Sequence, residues 1–424
     1  MKITKVERIP IDAQHTPRAD RAMRRGITNW SIVEVCKVTT DAGLVGWGET
    51  IPHYTWGRVT DEAIARAVGR NPADLLWDDS LGAGLQQAMF DLAGKALDVP
   101  AYRLIGTKVR EWCPLAWWCW DMPTNDWLAE IQAALAAGYA SFKLKARPWF
   151  DVVAQIEALS AATPDHVTFD LDFNQFLLSA GQAVPVLQRF EAIPKVQIFE
   201  SPIFQWDVAG NRALRAKLSR PIAMHIDIPP FLTAVREGVC DGFVLNRGAA
   251  QLIHQAHLAT EANLPFFLQL VGTGITSAWT AHLGAVLRYA QWPAITCLNT
   301  YADDLIVSPL RIERGYVRVP EAPGLGVDVD EDALVRLRRA NIEPKSVPRA
   351  IYTIRWADGR TLESVEVRPV GLGGYEKEFW DGSHPIFEPG VELTAAEDDG
   401  SPEFEARYQE VRRAGTSRIA WQRA

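Results

Sequence analysis

The sequence predicts an α/β fold: a (β/α)7β TIM-like barrel with an N-terminal α+β capping domain and a C-terminal β-rich extension. Three observations carry this. Short β-rich runs alternate with helical patterns from about residue 112 onward. Their starts lie about 20 to 30 residues apart, the repeat of a strand plus its crossover helix, and eight such units close a parallel barrel. The chain has 424 residues, enough for a barrel of about 200 to 250 residues with accessory parts.

Residues 1–107 read as the capping domain. "SIVEVCKVTT" and "LVGWGET" are strands joined by the turn Asp41-Ala42-Gly43, and "LGAGLQQAMFDLAGKAL" repeats its apolar residues with helical spacing. The polar, basic stretch "HTPRADRAMRRGITNW" reads as a flexible loop. Residues 108–320 hold the barrel, with strand runs "CPLAWWCW", "ASFKLKA", "VTFDLDF", "VQIFES", "PIAMHID", "DGFVLN", "LPFFLQL" and "AITCLN". Residues 321–345 read as a return segment packing on the capping domain. In the extension, 346–424, "IYTIRWADGRTLESVEV" alternates around Asp358-Gly359 as a hairpin, and the remainder is acidic and turn-rich.

Composition narrows the partners. A formal charge of −8 with 48% hydrophobic and 23% charged residues repels phosphate backbones, which argues against nucleic acid. No apolar run reaches membrane-spanning length and the amino terminus has no signal-peptide pattern, so no membrane association and a cytoplasmic location are expected. The five cysteines are scattered without a C-x-x-C pair, as expected of reduced, structural thiols. Sixteen tryptophans are many, and the cluster in "EWCPLAWWCW" serves either core packing or a pocket wall.

In a parallel barrel the chemistry sits at the carboxyl ends of the strands. In "FKLKAR", Lys143, Lys145 and Arg147 share one strand face. Crowded cations depress one another's pKa, which suits one lysine to act as a general base; a solvated lysine row is the structural alternative. The next runs end in Asp170 and Asp172, then in Glu200. Carboxylates converging at a barrel mouth need a cation among them, and hard oxygen ligands suit Mg²⁺.

The order of K-x-K, then Asp172-Phe173-Asn174, then Glu200-Ser201-Pro202, then "VPEAPGLGVDVDED", resembles the enolase superfamily in its mandelate racemase and muconate lactonizing branch. "GWGET" and "AMFDLAGKALDVPAYRLIG" are similar to that branch's capping segments, and the resemblance runs from about residue 3 to about 340. It implies that carboxylates on barrel strands three, four and five hold Mg²⁺, that the metal binds a substrate carboxylate, and that a base takes the α-proton to give an enediolate. By the same resemblance Lys145 is the base, Lys143 lowers its pKa, and Asp172 and Glu200 are the first two metal ligands. A homo-oligomer is implied as well.

The sequence departs from the pattern on strand five, where "PIAMHIDIPP" places Ile226 at the expected ligand position. Asp227 through a bulge, His225 through a ring nitrogen, or loss of the third ligand are the alternatives, with another divalent ion or no metal as their consequences. Ionisable positions on the opposite wall become Asn246, Gln269 and Asn299, and amides do not shuttle protons near neutral pH. Candidate substrate-binding residues are Asn174, Asn246, Arg247, Gln269, Asn299, Arg147, Trp30 and His53, with Arg21, Arg24, Arg25, Tyr54 and Trp56 in loops that would close over a substrate. His225 and Arg247 are the candidate acids; His166, His254, His257 and His282 read as structural.

These residues predict a divalent-metal-dependent lyase that abstracts the proton α to a carboxylate and eliminates a β-hydroxyl, as sugar-acid dehydratases do, acting on a small-molecule carboxylate. The alternatives are an epimerase, racemase or cycloisomerase of the same superfamily, and a metal-free, catalytically impaired barrel that binds a small acid. A Schiff-base lysine enzyme would leave Asp172 and Glu200 without a role.

Overall fold

A computed structural model describes residues 1–54, 57–366 and 373–415, with the backbone of 418–421. Trp56 lies outside the described residues.

Strands β1 (Ile3–Asp12), β2 (Ile32–Thr40) and β3 (Val45–Thr50) form an antiparallel sheet in that order. The helix Ala83–Leu97 lies on this sheet and is buried along most of its length. The two glycines of "GWGET" permit this approach: a Cβ on Gly48 would sit 2.0 Å from the Gly84 carbonyl oxygen, and one on Gly46 would meet Leu92.

The barrel begins with β4 (Trp112–Pro114) and β5 (Ala116–Cys119). It continues with β6 (Ser141–Lys145), β7 (Thr168–Asp172), β8 (Val196–Glu200), β9 (Ile222–His225), β10 (Gly242–Leu245) and β11 (Phe266–Leu268). From β5 to β11 these are parallel neighbours in sequence order. The eighth run, "AITCLN", closes the ring with a short bridge: Ala294 pairs with Leu115 and Ile295 with Gln269. The amide of Ala116 donates to the Ala294 carbonyl at 2.9 Å and that of Leu270 to the Ile295 carbonyl at 3.0 Å. Strands β12 (Ile312–Glu313) and β13 (Tyr316–Arg318) pair with β4. The return segment is tied to the cap by the Leu325 amide on Asp91 (2.8 Å) and to the barrel by the buried His282, whose Nε2 meets the Leu325 carbonyl at 3.0 Å. All five cysteines are free and buried, and no helix among the described residues is long and apolar enough to cross a membrane.

Two features differ from expectation. The basic stretch after His15 is a helix, Pro17–Met23, followed by a 3-10 turn, Thr28–Ser31. Pro17 opens the helix at its first turn, and its arginines are pinned: Arg18 by Glu130 at 2.7 Å, Arg25 by Asp121 at 2.7 Å, Arg24 by Glu397 at 3.0 Å. The extension is also more ordered than its turn-rich composition suggests. The hairpin β14 (Ala350–Arg355) and β15 (Arg360–Ser364) is joined by β16 (Glu392–Glu397) and β17 (Arg418–Trp421) in the order β16-β14-β15-β17. The helix Gly374–Trp380 turns its aromatic residues toward the barrel.

That helix settles where the extension sits. Fully buried Trp149, after β6, meets Tyr375 and Phe379 with ring centroids 5.1 and 5.7 Å away. Trp380 meets Phe176 after β7 and Phe204 after β8, at 5.4 and 5.1 Å. The Asp151 amide donates to the Val391 carbonyl at 2.9 Å. All these barrel residues follow the carboxyl ends of strands, so the extension covers one side of the barrel mouth. Phe379→Ala is expected to cost about 3–5 kcal/mol and to expose the junction near residue 346 to protease. Urea unfolding with limited proteolysis reads both, and unchanged cleavage would contradict this docking.

Candidate active site

Register decides which side chains face the lumen. Trp118 pairs with Lys143, Lys143 with Asp170 and Lys145 with Asp172. Asp172 pairs with Glu200, Glu200 with Ala223, His225 with Val244, Val244 with Phe267, and Gln269 with Ile295. Partners in a pleated sheet share a face, so Lys143, Lys145, Asp170, Asp172, Glu200, His225 and Gln269 all belong to the lumen set. Ile226 and Asp227 lie past the end of β9, in the turn that follows it.

Lys143 is 1% exposed. Its ammonium is ion-paired with Glu200 Oε2, lies 3.5 Å from Asp172 Oδ2, and donates to Gln269 Oε1 at 3.0 Å. The Phe267 ring lies 4.9 Å below it. Burial works against its charge, but Glu200 and Asp172 outweigh burial and hold its pKa above the ordinary lysine value. Gln269 is itself fixed, because its amide nitrogen donates to the Tyr54 hydroxyl of the cap at 2.5 Å.

Lys145 donates to Asp172 Oδ2 at 2.5 Å and to Asn174 Oδ1 at 2.9 Å. Burial lowers its pKa against the pull of Asp172, and Lys143 and Arg147 add to the lowering. Asp172 moves the other way: burial would raise it, but Lys145, Lys143 and Arg147 hold it far below the carboxylate range. Asp170, one step deeper, is pushed up to about 7 by burial, against the opposing charge of Lys143. Arg147 donates to the Asp172 carbonyl at 3.1 Å and to Asn174 Oδ1 at 2.6 Å, and lies over the rings of Trp120 and Phe176. Asn174 holds a positive φ of 41°, which asparagine tolerates better than most residues. Its amide returns to Asp172 Oδ1 at 2.9 Å.

A cavity of about 260 Å³ adjoins the lysine pair at Gln269, between cap and barrel, with Glu49, Tyr54, Gln87, Asn246 and Arg247 in its wall. Glu49 closes its floor by accepting from the Thr273 amide and hydroxyl, each at 2.7 Å, and from the Thr276 amide at 2.9 Å. Asn246, Arg247 and Gln269 therefore come together here. Trp30 is buried against Tyr54 and Trp118.

Other candidates fall elsewhere. Asn299 is not free for a ligand, because it accepts from the Trp118 amide at 3.1 Å and donates to the Trp118 carbonyl at 2.8 Å, which secures barrel closure. His53 points to the return segment, its Nε2 2.7 Å from the Ile342 carbonyl. Asp227 is spent on Arg247 at 2.8 Å and Gln255 at 2.9 Å. Trp118 and Trp120, whose rings lie 6.0 and 5.8 Å from the Lys145 ammonium, were left between core and pocket wall by the sequence; their spacing of two, along β5 and just past its end, is the signal that marks them as lumen residues. Tyr375 and Glu376 of the extension carried no such signal.

The donor set does not fit the divalent ion that the fold implies. Among the described residues no three His, Cys, Asp or Glu side chains converge closely enough to hold one. On β9 the lumen residue is His225, with Nε2 3.5 Å from Glu200 Oε1, and no third carboxylate follows Asp172 and Glu200.

A closed parallel barrel that gathers buried lysines and carboxylates at the carboxyl ends of its strands places them where barrel enzymes hold their active sites. The branch follows from comparison with known proteins. The family model described as Enolase C-terminal domain-like matches residues 126–333. D-galactonate dehydratase of Variovorax paradoxus (strain S110) is 26% identical over 373 residues, 77% of this chain and 95% of that protein. The solved N-succinyl Arg/Lys racemase of Bacillus cereus ATCC 14579 is 21% identical with a TM-score of 0.67, over 80% of this chain and 98% of that one. A mandelate racemase/muconate lactonizing family protein from Azoarcus sp. EbN1 is 26% identical with a TM-score of 0.64, over 82% and 99%. The chain belongs to the enolase superfamily, in its mandelate racemase and muconate lactonizing branch, and is an enzyme. The solved relatives are covered almost whole, so about a fifth of this chain has no counterpart in them, a share the size of the extension.

Two outcomes check this geometry. Asn299→Leu is expected to cost about 1–3 kcal/mol, measured by urea unfolding, because both polar groups of the Trp118 backbone lose their partner. Glu376 is buried beside Asp121, Arg147 and Arg25, and burial with the Asp121 charge raises its pKa from 4.5 to about 7. Between those values the folded chain binds more protons at this site than the unfolded chain, so Glu376 makes stability fall as pH rises through that window. Glu376→Gln removes that slope; its stability relative to wild type is expected to be more favourable at pH 8 than at pH 5.

Proposed function

We propose that the chain removes a proton from the carbon next to a carboxylate in a small hydroxy acid, with Lys145 as base, and completes the reaction by loss of a β-hydroxyl. One observation carries this reading: Lys145 is a buried lumen lysine whose pKa is lowered, held by Asp172 and Asn174 with two further cations at hand. A base of this kind contributes about 10²–10⁴-fold to a proton transfer. The dehydratase relative supports the class of substrate. The wall across from Lys145 supports elimination over two-base racemisation, because Asn246 and Gln269 donate and accept hydrogen bonds without exchanging protons. Arg247 at the cavity wall and Arg147 beside the base are the cations suited to a carboxylate.

Epimerisation is the second reading. It is favoured by the racemase relative and by His225, a partly exposed imidazole on the lumen face, a side chain able both to donate and to accept a proton.

The test is solvent deuterium exchange across a panel of sugar acids and N-acyl amino acids, followed by NMR with detection of 2-keto products. Exchange with a 2-keto product supports dehydration; deuterium retained in recovered substrate with inversion supports epimerisation. Lys145→Met is expected to slow either by about 10²–10⁴-fold while leaving ligand binding measurable. Undiminished exchange in that variant would remove Lys145 as the base.

A further inference from the structure

We infer that the ammonium of Lys143 takes the place between the strand-three and strand-four carboxylates that a divalent cation would fill, so that this site is assembled without a metal ion. The inference rests on the residues themselves and deepens the proton-abstraction reading without depending on it.

Four observations converge. The Lys143 ammonium stands between Glu200 and Asp172, ion-paired with the first and 3.5 Å from the second. It is tethered from the opposite wall by Gln269 Oε1 at 3.0 Å, and Gln269 is fixed by the Tyr54 hydroxyl at 2.5 Å. An acceptor that reaches the ammonium from strand seven gives it a built position. Apart from the Lys143 ion pair, neither oxygen of Glu200 has a hydrogen-bonded partner among the described residues, so its charge is met by Lys143, with the His225 ring nitrogen 3.5 Å from Oε1. Finally, the third ligand is missing twice over. Ile226 is buried and apolar, and Asp227 has both oxygens engaged by Arg247 and Gln255.

Charge explains why the arrangement holds. Two buried carboxylates side by side need compensation, and an isolated buried charge is costly. A divalent ion needs several oxygen ligands to repay its dehydration. With two carboxylates and no third, a tethered ammonium supplies part of the same compensation, because it brings its own covalent anchor and three donors.

The test uses the full chain, freed of adventitious metal by chelation, with Mn²⁺ as the probe, read by electron paramagnetic resonance and by thermal unfolding. Wild type is expected to show no stoichiometric Mn²⁺ site and no shift of Tm with Mn²⁺ or with chelator. Lys143→Met is expected to lower Tm, because Asp172 and Glu200 lose the ammonium between them, and Mn²⁺ is not expected to restore it with only two carboxylates to bind. Lys143→Gln carries the same expectation should the methionine variant fail to fold. Stoichiometric Mn²⁺ on wild type that disappears in Asp172→Asn would overturn the inference, as would a folded Lys143 variant whose Tm is unchanged. Metal-free wild type without proton exchange on any substrate sinks the reaction proposed above and leaves this inference standing. Exchange restored only by Mn²⁺ does the reverse.

Discussion

Everything at the mouth of this barrel answers to one constraint: Asp172 and Glu200 are ionisable, adjacent and almost wholly buried, and such a pair is stable only with positive charge in contact. Lys143 and Lys145 supply it from the neighbouring strand, because a parallel register sets Lys145 beside Asp172 and Asp172 beside Glu200. The two lysines then diverge. Lys143, clasped by Glu200, Asp172 and Gln269, is held in its charged form. For Lys145, burial together with Lys143 and Arg147 outweighs Asp172 and Glu200, and its pKa is lowered instead. One strand thus presents, two residues apart, a fixed cation and the lysine proposed as the base.

A buried charge cluster also needs a roof, and two separate parts of the chain provide it. From one side the cap lays Trp30 on Trp118 and Tyr54 on Gln269. From the other the extension brings Tyr375, Phe379 and Trp380 onto Trp149, Phe176 and Phe204. Asp121 lies between them, accepting from Arg25 of the cap at 2.7 Å and from Nε1 of Trp149, the barrel ring on which the extension packs, at 2.6 Å. Arg147 links this layer to the base, since the same side chain bonds Asn174 and lies close enough to Glu376 to oppose the rise in its pKa. The helical order of residues 17–23 belongs to this layer too, through Arg24 and Glu397.

The barrel was legible because its signals are local and periodic. A strand with lysines two apart, followed by strands ending in Asp172 and Glu200, states which face looks inward before any contact is known. The ends of that periodicity were harder. On β9 the chain leaves the strand after His225, so whether Ile226 or Asp227 returned to the lumen depended on a turn, and the turn sends Asp227 to Arg247. Asn299 misled because an amide at a strand end suits a ligand and a neighbouring backbone equally well, and only the closure of the ring chooses Trp118. The extension was unreadable as part of the site because its contacts are made by aromatic residues 176 to 230 positions from their partners; a hairpin can be read from its turn, but what it lands on cannot.

The altered strand five and the altered opposite wall are best understood as one change. The resemblance places a lysine, or an aspartate paired with histidine, on the wall where this chain has Asn246 and Gln269. A lysine or an imidazolium at residue 269 would repel the Lys143 ammonium that now sits 3.0 Å from Gln269 Oε1. An amide accepts from it at no electrostatic cost and turns its own N–H to Tyr54. The strand-five side complements this, for with no third carboxylate the cluster carries one negative charge fewer, and a single ammonium comes closer to balancing it than it would three carboxylates. Each departure taken singly reads as a lost function. Together they fit the inferred pocket in which the polypeptide alone balances the charges and Lys145, held by Asp172 and Asn174, is the proposed base.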